Sequence, residues 1–317
     1  MSGFSDKIVE LKPEILAVPG STNVGLVLDR HEDMTDVFLI DSGGTELDGE
    51  FLADGLDGYF SDRGENYRIS AVINTHSHAD HCGADAFLRS HRGCRILVPA
   101  GERGSLENPL LQPSLIWGGM PPHELRTVYY KMDPVMDAEC YSERDRIELS
   151  GGKAISFVSL PGHYFQTMGI LCRAADGRNV LFAGDSIFSR NEIGKYWIPF
   201  MIQPELFMES LDRICGIGSL DVCVPGHGDF IFGNVAETAE LDKIAILSTE
   251  KCILEIISDR KLTTEDVLKE VAERNGIKMG FGQYVLIGST VRSYLSSLHD
   301  RGKIRIAIEN NRLYWTD

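Results

Sequence analysis

The stretch Thr75-His76-Ser77-His78-Ala79-Asp80-His81 puts four side chains able to bind a metal within six residues. An apolar run, Ile69-Ser70-Ala71-Val72-Ile73-Asn74, leads into it, and Gly83 to Ser90 follows with helix-like spacing. The stretch is therefore expected on a strand-to-helix loop. Residues two apart in an extended segment project to the same side, so His76 and His78 can grip one ion with neutral imidazoles. Asp80 and His81, past the bend and near the helix start, face elsewhere and can serve a second ion.

Such a motif needs context, and three later residues supply it. His163 stands in Pro161-Gly162-His163, Asp185 in Ala183-Gly184-Asp185, and His227 in Pro225-Gly226-His227-Gly228. Each follows a strand-like run, and each has a glycine just before it, which lets backbone crowd close to an ion. His31, His91, His123 and His299 lack such settings and read as surface or structural residues. Cys82, next to His81, could be a soft extra ligand, but a small buried thiol is the simpler reading.

At 317 residues there is room for one large domain and a small one, with ample length to bury a core. No apolar run reaches the roughly 18–20 residues that span a bilayer, and the first residues lack a basic-then-apolar signal pattern. A cytoplasmic protein with no membrane contact is expected. The seven cysteines are scattered singly with no CxxC pair, which argues for a reducing compartment and against a disulfide framework. Residues 245–317 hold 11 Lys and Arg against 10 Asp and Glu, a balance of +1, so residues 1–244 carry −17 of the net −16. An acidic body repels phosphate backbones unless metals or a local patch compensate.

Short strands are expected over Ile8–Lys12, Ile15–Val18, Val24–Leu28 and Val37–Ile40, with Asp41-Ser42-Gly43-Gly44 as turn chemistry and an amphipathic helix over 47–62. After a buried strand at Arg95–Val98, the prolines and glycines between 100 and 145 break the rhythm. Only short helices fit there, at 122–130. A loop this long reads as a lid or binding loop, with Leu110, Leu111, Leu115, Ile116, Trp117, Tyr129 and Tyr130 either shaping a pocket or pinning the loop to the body. Strands resume over 146–149, 155–160, 168–173, 179–183 and 221–224, with a helix at about 204–214. A long helical pattern covers about 235–258. Beyond it come a helix capped by Thr263 or Thr264, another over roughly 285–300, and a hairpin around Asn310-Asn311. Helices followed by a hairpin look like a winged helix, so the boundary is set near 245.

HxHxDH followed in order by His163, Asp185 and His227 resembles the metallo-β-lactamase superfamily over roughly residues 8–245. The resemblance implies an α+β chain: an αββα metallo-β-lactamase sandwich over 1–245, followed by a small winged-helix domain over 246–317. It also implies that His76, His78 and His163 hold a first metal, that Asp80, His81 and His227 hold a second, and that Asp185 bridges them. Imidazole and carboxylate ligands suit two Zn²⁺ and leave a position for water, though iron or manganese can occupy such sets. Two such ions can share a hydroxide that attacks an acyl carbon or phosphorus, with Asp80 orienting the nucleophile or passing a proton to the leaving group.

Asp185 argues against true β-lactamases, which commonly have cysteine there, and His78 in place of Glu argues against the di-iron flavoprotein branch. Gly184-Asp185-Ser186-Ile187-Phe188 resembles the glyoxalase II and lactonase side, while Pro161 to Met168 departs from the usual PGHTPGS. A dinuclear hydrolase of a small ester, thioester or lactone is expected, with Tyr164 and Tyr196 either hydrogen-bonding an oxyanion or packing. The C-terminal segment is similar to that of the β-lactamase-like protein 2 endoribonucleases. The alternative is thus a metal-dependent endoribonuclease or phosphodiesterase with Arg292, Arg301, Lys303 and Arg305 facing phosphate. Against it stands a solvated face on a packing or homodimerisation segment, or a wing that covers the active site.

Overall fold

The computed structural model describes residues 4–127, 130–195, 197 and 199–317. Alternation of apolar residues within each strand builds two packed sheets with helices on both outer faces. The first sheet runs in the order β1 (Val9–Lys12), β2 (Ile15–Val18), β3 (Val24–Arg30), β4 (Thr35–Ile40), β5 (Tyr67–Ile73), β6 (Arg95–Pro99) and β7 (Glu139–Tyr141). Its first four strands form an antiparallel meander and the rest pair in parallel. The second sheet holds β8 (Arg146–Glu148), β9 (Ala154–Ser159), β10 (Met168–Arg173), β11 (Asn179–Gly184), β12 (Leu220–Pro225) and β13 (Ile231–Phe232), antiparallel except for β11 against β12.

Successive side chains on a strand point to opposite faces, so each strand serves two cores. Val27, Phe38, Ile40 and Ile73 of the first sheet meet Ile155, Ile170, Phe182 and Val222 of the second in the layer between them. Leu26, Leu28, Leu39 and Val72 point outward onto Leu52, Leu56 and Phe60 of the helix Glu46–Ser61 and Leu88 of the helix Asp85–Arg92. On the other side Leu181, Ala183 and Cys223 pack under Phe207 and Leu211 of the helix Pro204–Cys215. Each such fully buried aliphatic or aromatic side chain contributes roughly 1.5–3 kcal/mol. This is the αββα layering that the resemblance implied.

The segment 100–145 differs from its sequence reading. Helices form at Arg103–Glu107 and Leu111–Trp117, earlier than expected, and among the described residues of 122–130 only a 3₁₀ turn forms, His123–Leu125. Pro113 does not break its helix because it sits in the first turn, where a missing N–H costs nothing. The strand β7 was not foreseen, being only three residues long.

In the C-terminal part the helix Val235–Ile257 runs straight through position 245. Its Ile246, Ile253 and Ile256 enter the same core as Phe207 and Leu181. Thr263 caps the helix Thr264–Arg274 in a capping box with Asp266. The helix Phe281–Asp300 follows, and Asn310 and Asn311, both at positive φ (49° and 62°), turn the hairpin β14 (Arg305–Glu309) and β15 (Arg312–Thr316). Two consecutive residues with φ > 0 are what a tight two-residue hairpin requires.

Candidate metal centre

Strand ends from both sheets converge on one edge of the sandwich. β5 ends at Ile73, the chain bends at Thr75 and His76, and His78 is extended (φ −69°, ψ 145°) before the short helix Ala79–Cys82. His163 lies between β9 and β10, Asp185 follows β11 directly, and His227 follows β12. The structure brings all seven sequence-predicted residues together. Ligand-type atoms of His76, His78 and His163 lie within 4.8 Å of one another, as do those of Asp80, His81 and His227 and those of His76, His81 and Asp185.

Within this cluster, His163 Nε2 is 2.9 Å from His78 Nδ1 and 3.3 Å from Asp185 Oδ2. Asp185 Oδ1 is 3.4 Å from His81 Nε2, and His227 Nε2 is 3.3 Å from Asp80 Oδ2 and 3.5 Å from Asp185 Oδ2. The far ring nitrogens are tied down. His81 Nδ1 faces Asp41 Oδ2 at 2.8 Å, His163 Nδ1 faces the Phe200 carbonyl at 2.8 Å, and His227 Nδ1 faces the Ser21 carbonyl at 2.5 Å. Such partners fix each imidazole's tautomer so that its other nitrogen presents a lone pair to an ion.

The residues fit a cation. Among the described residues, His76 Nε2, His78 Nε2, His81 Nε2 and Asp185 Oδ1 are buried without a hydrogen bond of normal geometry. Burying so many polar atoms unpaired is costly, and at His76, His81 and Asp185 a shared ion removes the cost. Burial, reinforced by the neighbouring imidazoles, holds His76 well below the ordinary histidine range, and burial beside His163 takes His78 down to about 3. Both imidazoles are therefore held neutral, the form that can bind a cation. His81 goes the other way: burial pulls it down, but Asp41, Asp185 and Asp80 outweigh that and push it up to about 10. The local excess of carboxylate draws in positive charge, which a divalent ion supplies in place of the proton.

The glycines before His163, Asp185 and His227 also let neighbouring loops close up on the site. A Cβ at Gly162 would meet Phe207 N at 2.3 Å, one at Gly184 would meet Thr75 Oγ1 at 2.6 Å, and one at Gly226 would meet Asp185 Oδ1 at 2.2 Å. Protein atoms from neighbouring loops fill that space.

Several supporting residues escaped the sequence reading. Asp41, taken as turn chemistry, also accepts from Thr75 N (2.7 Å) and Thr75 Oγ1 (2.9 Å). Asn23 Nδ2 donates to the carbonyls of Pro225 and Gly228, and Thr22 Oγ1 donates to that of Asp80. Buried Asp85 accepts from Ser42 Oγ and Asn74 Nδ2. Only an acid or amide next to a strand end hinted at these roles.

Other expectations resolve differently. Cys82 is buried, donates to the His76 carbonyl, and stands outside the three ligand groups. Tyr164 is buried against the His78 ring, so it packs rather than facing a substrate. Tyr196 and Tyr129 lie outside the described residues.

A cavity of about 1050 Å³ opens at the cluster, reached by Asp80, His163, Asp185 and His227. Phe188, Trp197, Pro199 and Phe200 form one wall, and Lys278, Gln283, Leu286, Ile287 and Thr290 of the C-terminal segment form another. Among the described residues, none from 100–145 lines it. Ile116 and Leu125 instead pack with Val285 and against Phe200 and Leu286, behind the wall.

Residues 17–227 match the sequence model described as Metallo-beta-lactamase superfamily. The chain belongs to this superfamily. It is a hydrolase of that superfamily, and the His/Asp clusters within the fold imply a divalent metal. A probable metallo-hydrolase of Methanocaldococcus jannaschii is 27% identical over 164 residues, 51% of this chain and 70% of that protein. Hydroxyacylglutathione hydrolase of Hyphomonas neptunium is 27% identical over 149 residues, 47% of this chain but only 44% of that protein. A β-lactamase domain protein from Burkholderia ambifaria superposes with a TM-score of 0.75 at 16% identity, covering 100% of this chain and 95% of the other. A metallo-β-lactamase family protein from Thermus thermophilus gives 0.72 at 19%, covering 97% and 100%. These two likenesses concern the fold alone. Among the described residues no helix is long and apolar enough to cross a membrane.

Proposed function

We propose that the protein hydrolyses a small ester, thioester or lactone with two divalent ions, zinc foremost. His76, His78 and His163 would hold one, Asp80, His81 and His227 the other, and Asp185 would lie between. The observation that carries this reading is the pair of ligand groups, from both sheets, opening onto one cavity. When bound, such ions activate water near neutral pH and polarise an acyl oxygen.

The chain's own residues do the rest. Asp80, whose side chain is 40% exposed at the cavity floor and faces His227 Nε2 at 3.3 Å, would also orient water or pass a proton to a leaving group. Phe188, Trp197, Phe200, Leu286 and Ile287 offer an apolar surface to an acyl chain and exclude water around it. Lys278 is the only lysine or arginine among the described lining residues, placed to meet an anionic group on the substrate. The likeness to hydroxyacylglutathione hydrolase supports a thioester in particular.

The nuclease alternative has less support. Arg292 faces Glu265 at 3.9 Å, and Arg301 is paired with Glu205 and Glu250, so two of the four cations proposed for phosphate are already engaged. The reading of the C-terminal segment that fits better is a wall of the substrate cavity.

Metal analysis after reconstitution, combined with ester, thioester and lactone panels, tests the proposal. Two ions per chain and loss of hydrolysis in His78→Ala are expected. A stoichiometry of one or none, or activity that survives His78→Ala, would overturn it.

A further inference from the structure

The segment 100–117 sends two buried side chains beneath the ligand loop. Glu102 is 1% exposed and accepts from Ser77 N at 2.6 Å through Oε2 and from Gln166 N at 2.8 Å through Oε1. Gln166 returns the contact, its Oε1 accepting from Gly101 N at 2.7 Å. Gln112, also buried, accepts from Ala79 N at 3.2 Å. Ser77 lies between His76 and His78, Ala79 lies between His78 and Asp80, and Gln166 lies three residues after His163.

We propose that Glu102 and Gln112 are positioning residues for the metal centre, clamping the backbone from which His76, His78 and His163 project. One carboxylate cross-links a loop of the first sheet to a loop of the second, so the three ligands of one group are held at a fixed separation before an ion arrives. Among the described residues the only direct backbone hydrogen bond between these two stretches is from Met168 N, at the start of β10, to the Thr75 carbonyl, at 2.8 Å. Both oxygens of Glu102 accept, and these two N–H groups oppose the burial that pushes its carboxyl up to about 7, whereas an amide of the same shape turns one end into a donor facing an N–H. The segment 100–117 therefore acts on the metal from behind and leaves the substrate cavity to other segments.

The clamp rests on the two-ion reading above, and cobalt titration of the apoprotein, followed by visible absorption, separates the two. Wild type is expected to fill both positions. Glu102→Gln should weaken the position held by His76, His78 and His163 by about 10–100-fold, the usual effect of removing an outer partner of a ligand. The Asp80, His81 and His227 position should change little. Amide hydrogen exchange should quicken at Ser77 and Gln166. Glu102→Asp keeps the carboxyl but is too short to bridge, so it should behave the same way.

Gln112→Leu should quicken exchange at Ala79, while Gln112→Glu, which keeps the acceptor, should restore it. These Gln112 variants carry the test should the Glu102 variants not fold. Unchanged cobalt affinity and exchange in the Glu102 variants, or in Gln112→Leu, would overturn the clamp. A wild-type protein that binds no cobalt at these residues would overturn the two-ion reading and the clamp together.

Discussion

Gly226 gives the sharpest test of how tightly the centre is built. In Gly226→Ala the new Cβ falls 2.2 Å from Asp185 Oδ1 and 2.6 Å from His81 Cε1, where ordinary contact begins at 3.4 Å. Gly226 is not among the left-handed glycines, so alanine is allowed by the backbone and the effect is steric alone. The backbone cannot swing aside, because Gly226 N donates to the Gly184 carbonyl at 2.7 Å and its carbonyl accepts from Asn23 N at 2.8 Å. Asp185 and His81 must therefore retreat by about 1 Å. Overpacking of this kind costs about 1–3 kcal/mol of stability, and a 1 Å misplacement can lower turnover by about 100-fold. Gly218→Ala is the control, since its Cβ meets nothing within 4 Å. At an exposed, sterically open site the change should be neutral or stabilising by about 0.4–1 kcal/mol. Thermal melts of apoprotein and zinc-loaded protein, with chelator competition for zinc, read both effects. If Gly226→Ala melts lower but keeps wild-type zinc affinity, crowding is not transmitted to the ligands and the argument fails.

Two further expectations concern groups outside the ligand set. Asp242 is buried with one oxygen accepting from Phe188 N and the other unpaired among the described residues, and burial pushes it up to about 7, against the pull of that N–H. The folded state thus holds a proton more tightly than the unfolded one, so stability falls as pH rises from about 4 to about 7 and levels off above. The cost at pH 8 is about 4 kcal/mol, and the buried amide of Asp242→Asn gives back about 1–3 kcal/mol of that gain. Urea melts should find the variant more stable than wild type at pH 8 and not at pH 5; a pH-independent difference would refute this. Lys278→Glu should lower kcat/KM for substrates carrying a remote carboxylate by up to about fivefold, as for an exposed ion pair, and leave neutral analogues unchanged. Equal losses for both classes would remove Lys278 from substrate recognition.

The candidate ligand set was legible because each member is a metal-binding side chain in the connection that follows a strand, and strands announce themselves by alternation. The residues that hold those ligands were not. Asp41 sits in Asp41-Ser42-Gly43-Gly44, a stretch that reads as a turn, and its partners Thr75 and His81 are 34 and 40 residues away. They meet only because β4 and β5 pair in parallel and end side by side. Glu102 and Gln112 lie in a stretch so rich in proline and glycine that periodicity has nothing to act on, yet both point inward. The glycines were flagged at the right positions for an incomplete reason. Sequence shows that a side chain is missing, but only the packed sheets show which atoms occupy its place.

The C-terminal segment carries the same lesson at larger scale. Helices followed by a hairpin suggested a small unit beyond 245, and the helix Val235–Ile257, a pattern already legible over about 235–258, joins it to the body without interruption. Ile246 and Ile253 on one side of it, with Val291 and Tyr294 of the helix Phe281–Asp300, complete the core outside the second sheet. Other residues of the latter helix, Leu286, Ile287 and Thr290, face the cavity. One helix thus packs on the body with one side and shapes the substrate space with another. Cutting the chain at 245 would strip the outer core and open the cavity in the same act. A change of substrate preference is therefore better sought by single substitutions at 283–290, which alter the wall while Val291 and Tyr294 keep it attached.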